Sequence, residues 1–388
     1  MFPKIKVSRL GVALGLGVTQ CVAFGTSLYL LGVMAVPIHL ETGWPLPVIA
    51  AGLSLGIALS GLMAPAIGRQ VRVGHGGALL KLSSLLFAAG LLILGAAHDM
   101  IVYFAGWAVI GAGMATGLYD TVFGTLGTRH DQDARPMISQ VALIGGFAST
   151  VAWAAGGALL PHLNWRLCVD LFAGAHLLIN LPIFLVIFRG RTDAVPETPT
   201  AAPAPVDRRI FALIAAIFMI EACVTVSVGV HLITLFREMG RPLSVAVAFG
   251  AIIGPCQVAG RVAEMTVGRR LHPVVTVIAA AAAVTLSLVA LAVMPVAAAP
   301  ALVVYGAGIG VLSIARGLLP LKLFGRDHYA VVMGKLARPI ALVQAVAPAL
   351  AAGLVEALPA PWVIACIAAA SGLALVAALG LKGLVRTV

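Results

Sequence analysis

Residues 210–235 have the sequence IFALIAAIFMIEACVTVSVGVHLITL, in which Glu221 is the one charged residue. A helix that crosses a bilayer needs about 20 consecutive apolar residues, because the hydrocarbon core is about 30 Å thick. The run is therefore long enough to span a membrane. Basic residues flank it, with Arg208 and Arg209 before it and Arg237 after it.

The rest of the chain repeats this pattern. Charged residues make up 10% of the chain and apolar ones 61%, whereas soluble domains carry about 25% charged residues. This composition excludes a soluble fold, a disordered chain and a nucleic-acid-binding protein. The sequence predicts an all-α integral membrane protein with twelve transmembrane helices. The predicted spans are 10–36, 46–67, 77–97, 100–126, 137–160, 167–188, 210–235, 244–263, 274–293, 300–321, 333–356 and 361–381.

The distribution of basic residues predicts the topology. The net charge is +11, and most Lys and Arg residues fall in loops on one side of the membrane when the N-terminus is cytoplasmic. The loops on the other side hold Arg166, Arg237 and Arg241. Because cytoplasmic loops carry an excess of basic residues, we expect a multi-pass protein of the inner or plasma membrane with both termini in the cytoplasm.

The chain also divides into two similar halves. Residues 189–209 form the longest hydrophilic segment and contain four prolines, which is typical of a flexible linker. We expect a six-helix bundle in residues 1–188, this cytoplasmic linker, and a second six-helix bundle in residues 210–388. Three short matches recur in the same order, 197, 201 and 203 residues apart. They are 43–48 (GWPLPV) with 240–245 (GRPLSV), 123–124 (FG) with 324–325 (FG), and 135–136 (RP) with 338–339 (RP).

With this layout the chain resembles the major facilitator superfamily (MFS). Members carry a G-x-x-x-D-R-x-G-R-R-like segment after the second helix and a degenerate copy after the eighth. Here the first copy is one residue short and has Arg72 where the family has an acid, which puts a charge relay in this half in doubt. The first copy comprises Gly68, Arg69, Arg72 and Gly74, and the second comprises Gly260, Arg261, Glu264, Gly268, Arg269 and Arg270.

The resemblance implies a secondary active transporter in which two pseudo-symmetric bundles alternate access to a central site. It implies a small organic solute and protons as partners, the lipid bilayer as surroundings, and a monomer. No nucleotide-binding or hydrolase motif is present, so we expect neither an enzyme nor a cofactor. The five cysteines form no C-x-x-C pair and are expected to be small buried hydrophobic residues, so no metal site is predicted.

Three other functions stay open. An efflux pump for amphipathic compounds is disfavoured because the fifth predicted span lacks the Gly-Pro pair that efflux relatives often carry there. A metal importer is disfavoured because the nearest motif to that of copper-importing relatives is Met219-x-x-x-Cys223. A nontransporting membrane sensor would need a soluble domain or long tail, and the segment after Leu381 has seven residues.

Charged residues inside a span are costly and are candidates for function. Glu221 lies 12 residues after Arg209, about 18 Å along a helix axis, and therefore near the midplane. We expect it to bind and release a proton; the alternative is a protonated carboxyl that hydrogen-bonds a neighbouring helix. His231 follows on the same predicted helix, as a second proton acceptor or an interfacial histidine. Asp120 is either a third proton-coupling candidate or a structural partner of a nearby arginine.

Substrate contacts are predicted at four positions. Tyr29 lies in the first span, and helices 1, 4, 7 and 10 line the cavity in the resembling family. Arg316 and Arg338 suit an anionic group, although both lie near enough to the cytoplasmic ends of their spans to extend to the membrane surface. Gln344 is an uncharged polar residue within the eleventh span.

Overall fold

The computed structural model describes residues 8–129, 134–189 and 207–386. Residues 190–206 of the predicted linker lie outside the described ranges, so that the linker stays a prediction. Every regular element in the described ranges is helical. The helices are α1 (Arg9–Gly25), α2 (Leu31–Thr42), α3 (Leu46–Gln70), α4 (Gly76–Gly95), α5 (Met100–Gly117), α6 (Tyr119–Arg129), α7 (Ala134–Gly145), α8 (Ala148–Leu159), α9 (Trp165–Ala175), α10 (Leu181–Ile187), α11 (Arg208–Glu238), α12 (Leu243–Thr266), α13 (Pro273–Val293), α14 (Ala298–Ala357) and α15 (Ala360–Arg386).

Nine helical stretches of the described residues are long and apolar enough to cross a membrane. Two of them, Leu46–Gly95 and Ala298–Ala357, have 50 and 60 residues and each covers two of the predicted spans. Both contain a glycine with a positive φ, 89° at Gly74 and 67° at Gly325. Such backbone angles favour glycine, and the helix direction changes there. Twelve remains the number of spans predicted from the sequence.

The described residues form two compact units. The first unit holds α1 to α10 together with residues 325–341 of α14. The second unit holds α11, α12, α13, α15 and the remainder of α14. The sequence predicts a division near the linker, and it gives no sign that a segment of the C-terminal half packs with the N-terminal helices.

The longest internal sequence match corresponds to a repeated structure. Gly43 follows α2 and has a φ of 70°. Gly240 lies in the turn after α11 and has a φ of 78°. Pro45 and Pro242 then occupy the N-cap positions of α3 and α12. The Phe-Gly match behaves differently, because Gly124 lies inside α6 whereas Gly325 has a non-helical backbone.

Three predicted spans of the first unit are interrupted near their middle. Residues 26–30 separate α1 from α2, Leu118 separates α5 from α6 with an extended ψ of −175°, and residues 146–147 separate α7 from α8. The sequence predicts continuous helices at 10–36, 100–126 and 137–160. A glycine precedes each interruption, and glycine costs about 1 kcal/mol in a helix relative to alanine.

Candidate functional site

Glu221 lies in the interior of the second unit. Its side chain on α11 is 3% exposed, and the Ser371 hydroxyl of α15 donates to its Oε1 at 3.0 Å. The Thr285 hydroxyl of α13 is 2.9 Å from that of Ser371, so the carboxyl group joins a chain of polar groups across three helices. Its Oε2 has no hydrogen-bond partner, and Glu221 forms no ion pair with any residue that the structure describes.

Tyr305 of α14 is a second buried polar group in this unit. Its phenol oxygen has no hydrogen-bond partner in the described structure. The ring borders a small cavity of about 10 Å³, about the size that holds one water molecule. The other lining residues are almost all aliphatic, so this cavity is not a site for a polar solute. They include Val228, Leu232, Leu288 and Ile364.

His231, the second proton-coupling candidate, is held by a neighbouring helix. Its Nε2 is 3.0 Å from the carbonyl oxygen of Pro348 in α14. The side chain is half-buried, as are those of Gln344 and Arg316 on α14. These three predicted residues belong to the second unit, and among the described residues His231 contacts α14 whereas Glu221 contacts α15.

Asp120 and Tyr29 lie at two of the helix interruptions in the first unit. Asp120 is in the first turn of α6 and half-buried, and Tyr29 is half-buried between α1 and α2. Aromatic rings cluster around Tyr119, the residue before Asp120. The Tyr119 ring lies 4.5 Å from that of Phe24 and stacks on that of Phe123 at 4.8 Å, centroid to centroid.

Side chains of α1 and α6 bind carbonyl groups beside the helix interruptions. Gln20 donates its amide to the carbonyl oxygen of Gly117 at 2.8 Å, and the Cys21 thiol donates to that of Ile144 at 2.9 Å. The Tyr119 hydroxyl donates to the Ala142 carbonyl at 3.3 Å. The Ile144 and Ala142 carbonyls also accept backbone N–H groups, from Phe147 and Gly146, so these side chains add a second hydrogen bond there. The Gln20 side chain is 0% exposed, and its Oε1 has no hydrogen-bond partner among the described residues.

A histidine that the sequence analysis did not identify forms a hydrogen bond with the segment between α1 and α2. His176 is 0% exposed, and its Nε2 is 2.7 Å from the Thr26 hydroxyl. Because that hydroxyl donates to the Val22 carbonyl at 2.8 Å, Nε2 carries the proton and donates to Thr26. Nδ1 then accepts from the Asn180 amide at 3.1 Å. His176 and Asn180 lie on a π-helical turn, and four-residue spacing of polar residues within a span is the signal that the sequence offered.

The second copy of the family motif is partly buried in the second unit. Arg261 and Glu264 are buried, and the Arg261 Nε donates to the Ser313 hydroxyl of α14 at 2.9 Å. Gly268 is tightly enclosed, because a side chain at this position would collide with the Glu264 carboxylate. Gly260 lies against the backbone of Ala307, so α12 and α14 approach closely. Arg269 and Arg270 are exposed.

The first copy has a different environment. Gly68 is buried, and a Cβ placed on it would lie 2.5 Å from the carbonyl oxygen of Ala330. Arg69 and Arg72 are exposed, and Gly74 forms the turn between α3 and α4. Arg338, the remaining predicted substrate contact, is exposed and lies in the 325–341 segment of the first unit.

Comparison with known proteins identifies the fold. No family model and no curated protein matches the sequence. The crystal structure of the E. coli fucose:proton symporter FucP is similar over 96% of this chain and 98% of its own, with a TM-score of 0.73 and 13% identity. The human organic anion transporter MFSD10 (TETRAN) covers 97% of this chain and 100% of its own, with a TM-score of 0.68 and 17% identity.

A third structure, FucP in the outward conformation, is described as an MFS transporter. It covers 95% of this chain and 97% of its own, with a TM-score of 0.72 and 15% identity. These similarities extend over almost the whole chain. The protein therefore has the multi-pass, all-helical fold of MFS transporters, as the sequence predicts.

Proposed function

We propose that the protein is a secondary active transporter that moves a small organic solute by alternating access, with proton coupling through Glu221. The fold is that of solved transporters, and one of these is a proton symporter. The proposal includes a monomer in the inner or plasma membrane. It also places both termini in the cytoplasm, and the distribution of basic residues among the loops supports this orientation.

The observation that carries the proposal is the state of the Glu221 carboxyl group. It is almost fully buried in the middle of a 31-residue helix, and no cation pairs with it among the described residues. An isolated charge costs free energy in a low-dielectric interior. Because no counter-charge holds this carboxyl group in its ionised form, its charge changes when it binds or releases a proton. Ser371 hydrogen-bonds one oxygen in either protonation state, and the other oxygen is available to the proton.

The half-buried polar residues of both units are proposed as secondary contacts. Asp120 and His231 would assist proton transfer, and Tyr29, Arg316 and Gln344 would contact the solute. The aromatic rings of Phe24 and Tyr119 add an apolar surface in the first unit. Arg338 is the weakest substrate contact, because its side chain is exposed.

The test is Glu221→Gln, which retains size and hydrogen bonding but cannot ionise. A solute is first found by a stabilisation screen, since a bound ligand raises the free energy of unfolding by RT ln(1 + [L]/Kd). In proteoliposomes, we expect the variant to lose proton-driven accumulation and the pH dependence of uptake, and to keep solute exchange. Glu238→Gln, at the exposed end of the same helix, is the matched control and should behave like the parent. Full accumulation by Glu221→Gln would remove Glu221 from the mechanism.

A further inference from the structure

The hydroxyl groups beside Glu221 form a chain with a defined direction. Ser371 of α15 has one hydroxyl proton, and it donates this proton to the Glu221 Oε1 at 3.0 Å. The Ser371 oxygen is also 2.9 Å from the Thr285 hydroxyl of α13. Because Ser371 has no second proton to donate, Thr285 is the donor in this contact. The chain therefore runs from Thr285 through Ser371 to the carboxyl group of Glu221.

The packing between α13 and α15 holds the two hydroxyl groups in place. Ser371 is 0% exposed, and Thr285 is half-buried. A Cβ placed on Gly372 would lie 3.8 Å from the Thr285 methyl carbon, so the glycine after Ser371 makes room for this side chain. Bulk water does not reach the buried hydroxyl of Ser371. A hydrogen bond lost from it is therefore not replaced by solvent.

The direction of the chain distinguishes the two states of the carboxyl group. A hydrogen bond to an ionised acceptor is about twice as strong as one between neutral groups. Ser371 therefore stabilises the ionised form of Glu221 more than the protonated form. Thr285 strengthens this effect, because a hydroxyl that accepts a hydrogen bond becomes a better donor. The chain thus opposes the free-energy cost of burying the charge.

The helices that hold the chain carry no charged residue near it. The sequence of α13 has no Asp, Glu, Lys, Arg or His, and the first in α15 is Lys382, about 16 Å along the axis from the chain. The thiols of Cys256 on α12 and Cys366 on α15 are ordinarily neutral at neutral pH, as is the phenol of Tyr305 on α14. Of these groups, Tyr305 interacts electrostatically with Glu221.

The remaining candidates on neighbouring helices lie further along their axes. His231 follows Glu221 on α11 after ten residues, which is about 15 Å. Arg261 and Glu264 are in the last two turns of α12, and Arg316 is near the cytoplasmic end of the predicted tenth span. Glu221 is in the middle of its helix. The two hydroxyl groups are therefore the side chains best placed to act on its proton.

The first unit has a polar contact at the matching place in the sequence repeat. Thr26 and His176 lie in the first and sixth predicted spans of the first half, as Glu221 and Ser371 do in the second half. Each residue is 195 positions from its counterpart. In the first unit the contact continues to a backbone carbonyl group, because Thr26 donates to Val22. In the second unit it ends on an acidic group whose Oε2 has no hydrogen-bond partner in the described structure.

We propose that Ser371 and Thr285 are positioning residues that set the pH at which Glu221 exchanges its proton. This rests on the proposed function. Ser371 binds Oε1 and leaves Oε2 to the proton, and Thr285 orients the Ser371 hydroxyl towards the carboxyl group.

The test observes the carboxyl group directly in the full-length protein and needs no solute. Infrared difference spectra are recorded in lipid membranes as the pH is changed. A protonated carboxyl group has a C=O stretching band that disappears when the group ionises. The band that is absent in Glu221→Gln belongs to Glu221, and its intensity gives the pH at which half of the groups are ionised.

We expect Ser371→Ala to raise this midpoint by about one pH unit, because the ionised form loses its donor. The change is tenfold in proton affinity and corresponds to about 1.4 kcal/mol. The C=O band should also move to a higher wavenumber, since Oε1 no longer accepts a hydrogen bond. A change in packing alone would not produce both effects. A Ser371→Ala spectrum with the band and midpoint of the parent would overturn the proposal.

A matched pair at Thr285 decides the question if Ser371→Ala does not fold. Thr285→Val keeps the shape of the side chain and removes the hydroxyl, so it should raise the midpoint by a smaller amount. Thr285→Ser keeps the hydroxyl and removes the methyl group, and it should titrate like the parent. Equal midpoints in these two variants would contradict the role of the chain.

Ser287→Ala is the control for the loss of a buried hydroxyl group. Ser287 is also on α13 and buried, but it donates to the Val284 carbonyl of its own helix at 2.8 Å. This variant should leave the band and the midpoint unchanged. A shift as large as that of Ser371→Ala would show that any lost hydroxyl in this region alters Glu221, and the proposal would fail.

The outcome is distinguishable from a failure of the proposed function. Full solute accumulation by Glu221→Gln, together with a band that responds to Ser371→Ala, would contradict proton coupling and leave the positioning role intact. Loss of accumulation in Glu221→Gln, together with a band that ignores Ser371→Ala, would do the reverse. If no titrating band is lost in Glu221→Gln, the carboxyl group does not exchange its proton and the positioning role is wrong.

Discussion

At the scale of single residues, His176 offers a sharp test of the first unit. It donates to Thr26, accepts from Asn180 and stacks on Phe87 with 4.6 Å between ring centroids. His176→Phe keeps a ring against Phe87 and removes both hydrogen bonds. We expect the free energy of unfolding in detergent to fall by about 1–3 kcal/mol, the cost of leaving buried polar partners unsatisfied. The exposed His98→Phe is the control, and equal stability of the two variants would show that the network contributes nothing.

The same network shows what the sequence could and could not predict about single residues. Glu221 was identifiable because a charge inside an apolar run is rare and costly. Gln20, His176 and Asn180 are uncharged polar residues, which are common in membrane helices and mostly serve packing. Their importance depends on which carbonyl or hydroxyl group lies opposite, and this is set by the interruption of neighbouring helices.

At the scale of helices and turns, the end of α12 provides the next prediction. Gly268 begins a short 3₁₀ turn, and any side chain there meets the Glu264 carboxylate. Gly268→Leu should displace Glu264 and alter the turn, so we expect transport to fall while membrane insertion stays normal. The neighbouring Val267 is 65% exposed, so Val267→Leu is the control and should transport like the parent. Parent-like transport by Gly268→Leu would show that the motif has no mechanical role.

Helix existence was predictable at this scale, and helix continuity was not. Hydropathy places a helix in every predicted run because bilayer-length apolar segments are long and strongly patterned. The interruptions after Gly25, Gly117 and Gly145 depend on tertiary contacts. A glycine in an apolar run is as compatible with close helix packing as with a break, so the sequence alone does not separate the two.

At the scale of the whole molecule, repeats and composition predicted the fold that comparison with solved transporters identifies. The repeated turn at Gly43 and Gly240 was visible because it needs glycine and proline at fixed places. The assignment of residues 325–341 to the first unit was not visible. Glycine contacts such as Gly68 with Gly334 join residues far apart in sequence, and no local pattern encodes which glycines meet.

Topology is the prediction that belongs to the whole chain. Basic residues resist translocation, so loops rich in Lys and Arg stay in the cytoplasm. Reporter fusions within residues 190–206 and after the last helix should therefore report the cytoplasm, and fusions at residues 161–166 and 240–242 should report the opposite side. The positions at 161–166 and 240–242 lie in different halves of the chain, so each serves as a control for the orientation of the other half. If the report after the last helix is cytoplasmic, an external report from 190–206 would place an odd number of spans after the linker, and the two six-helix bundles would then be wrong. With internal reports from 190–206 and from after the last helix, the second half crosses an even number of times, as a six-helix bundle requires.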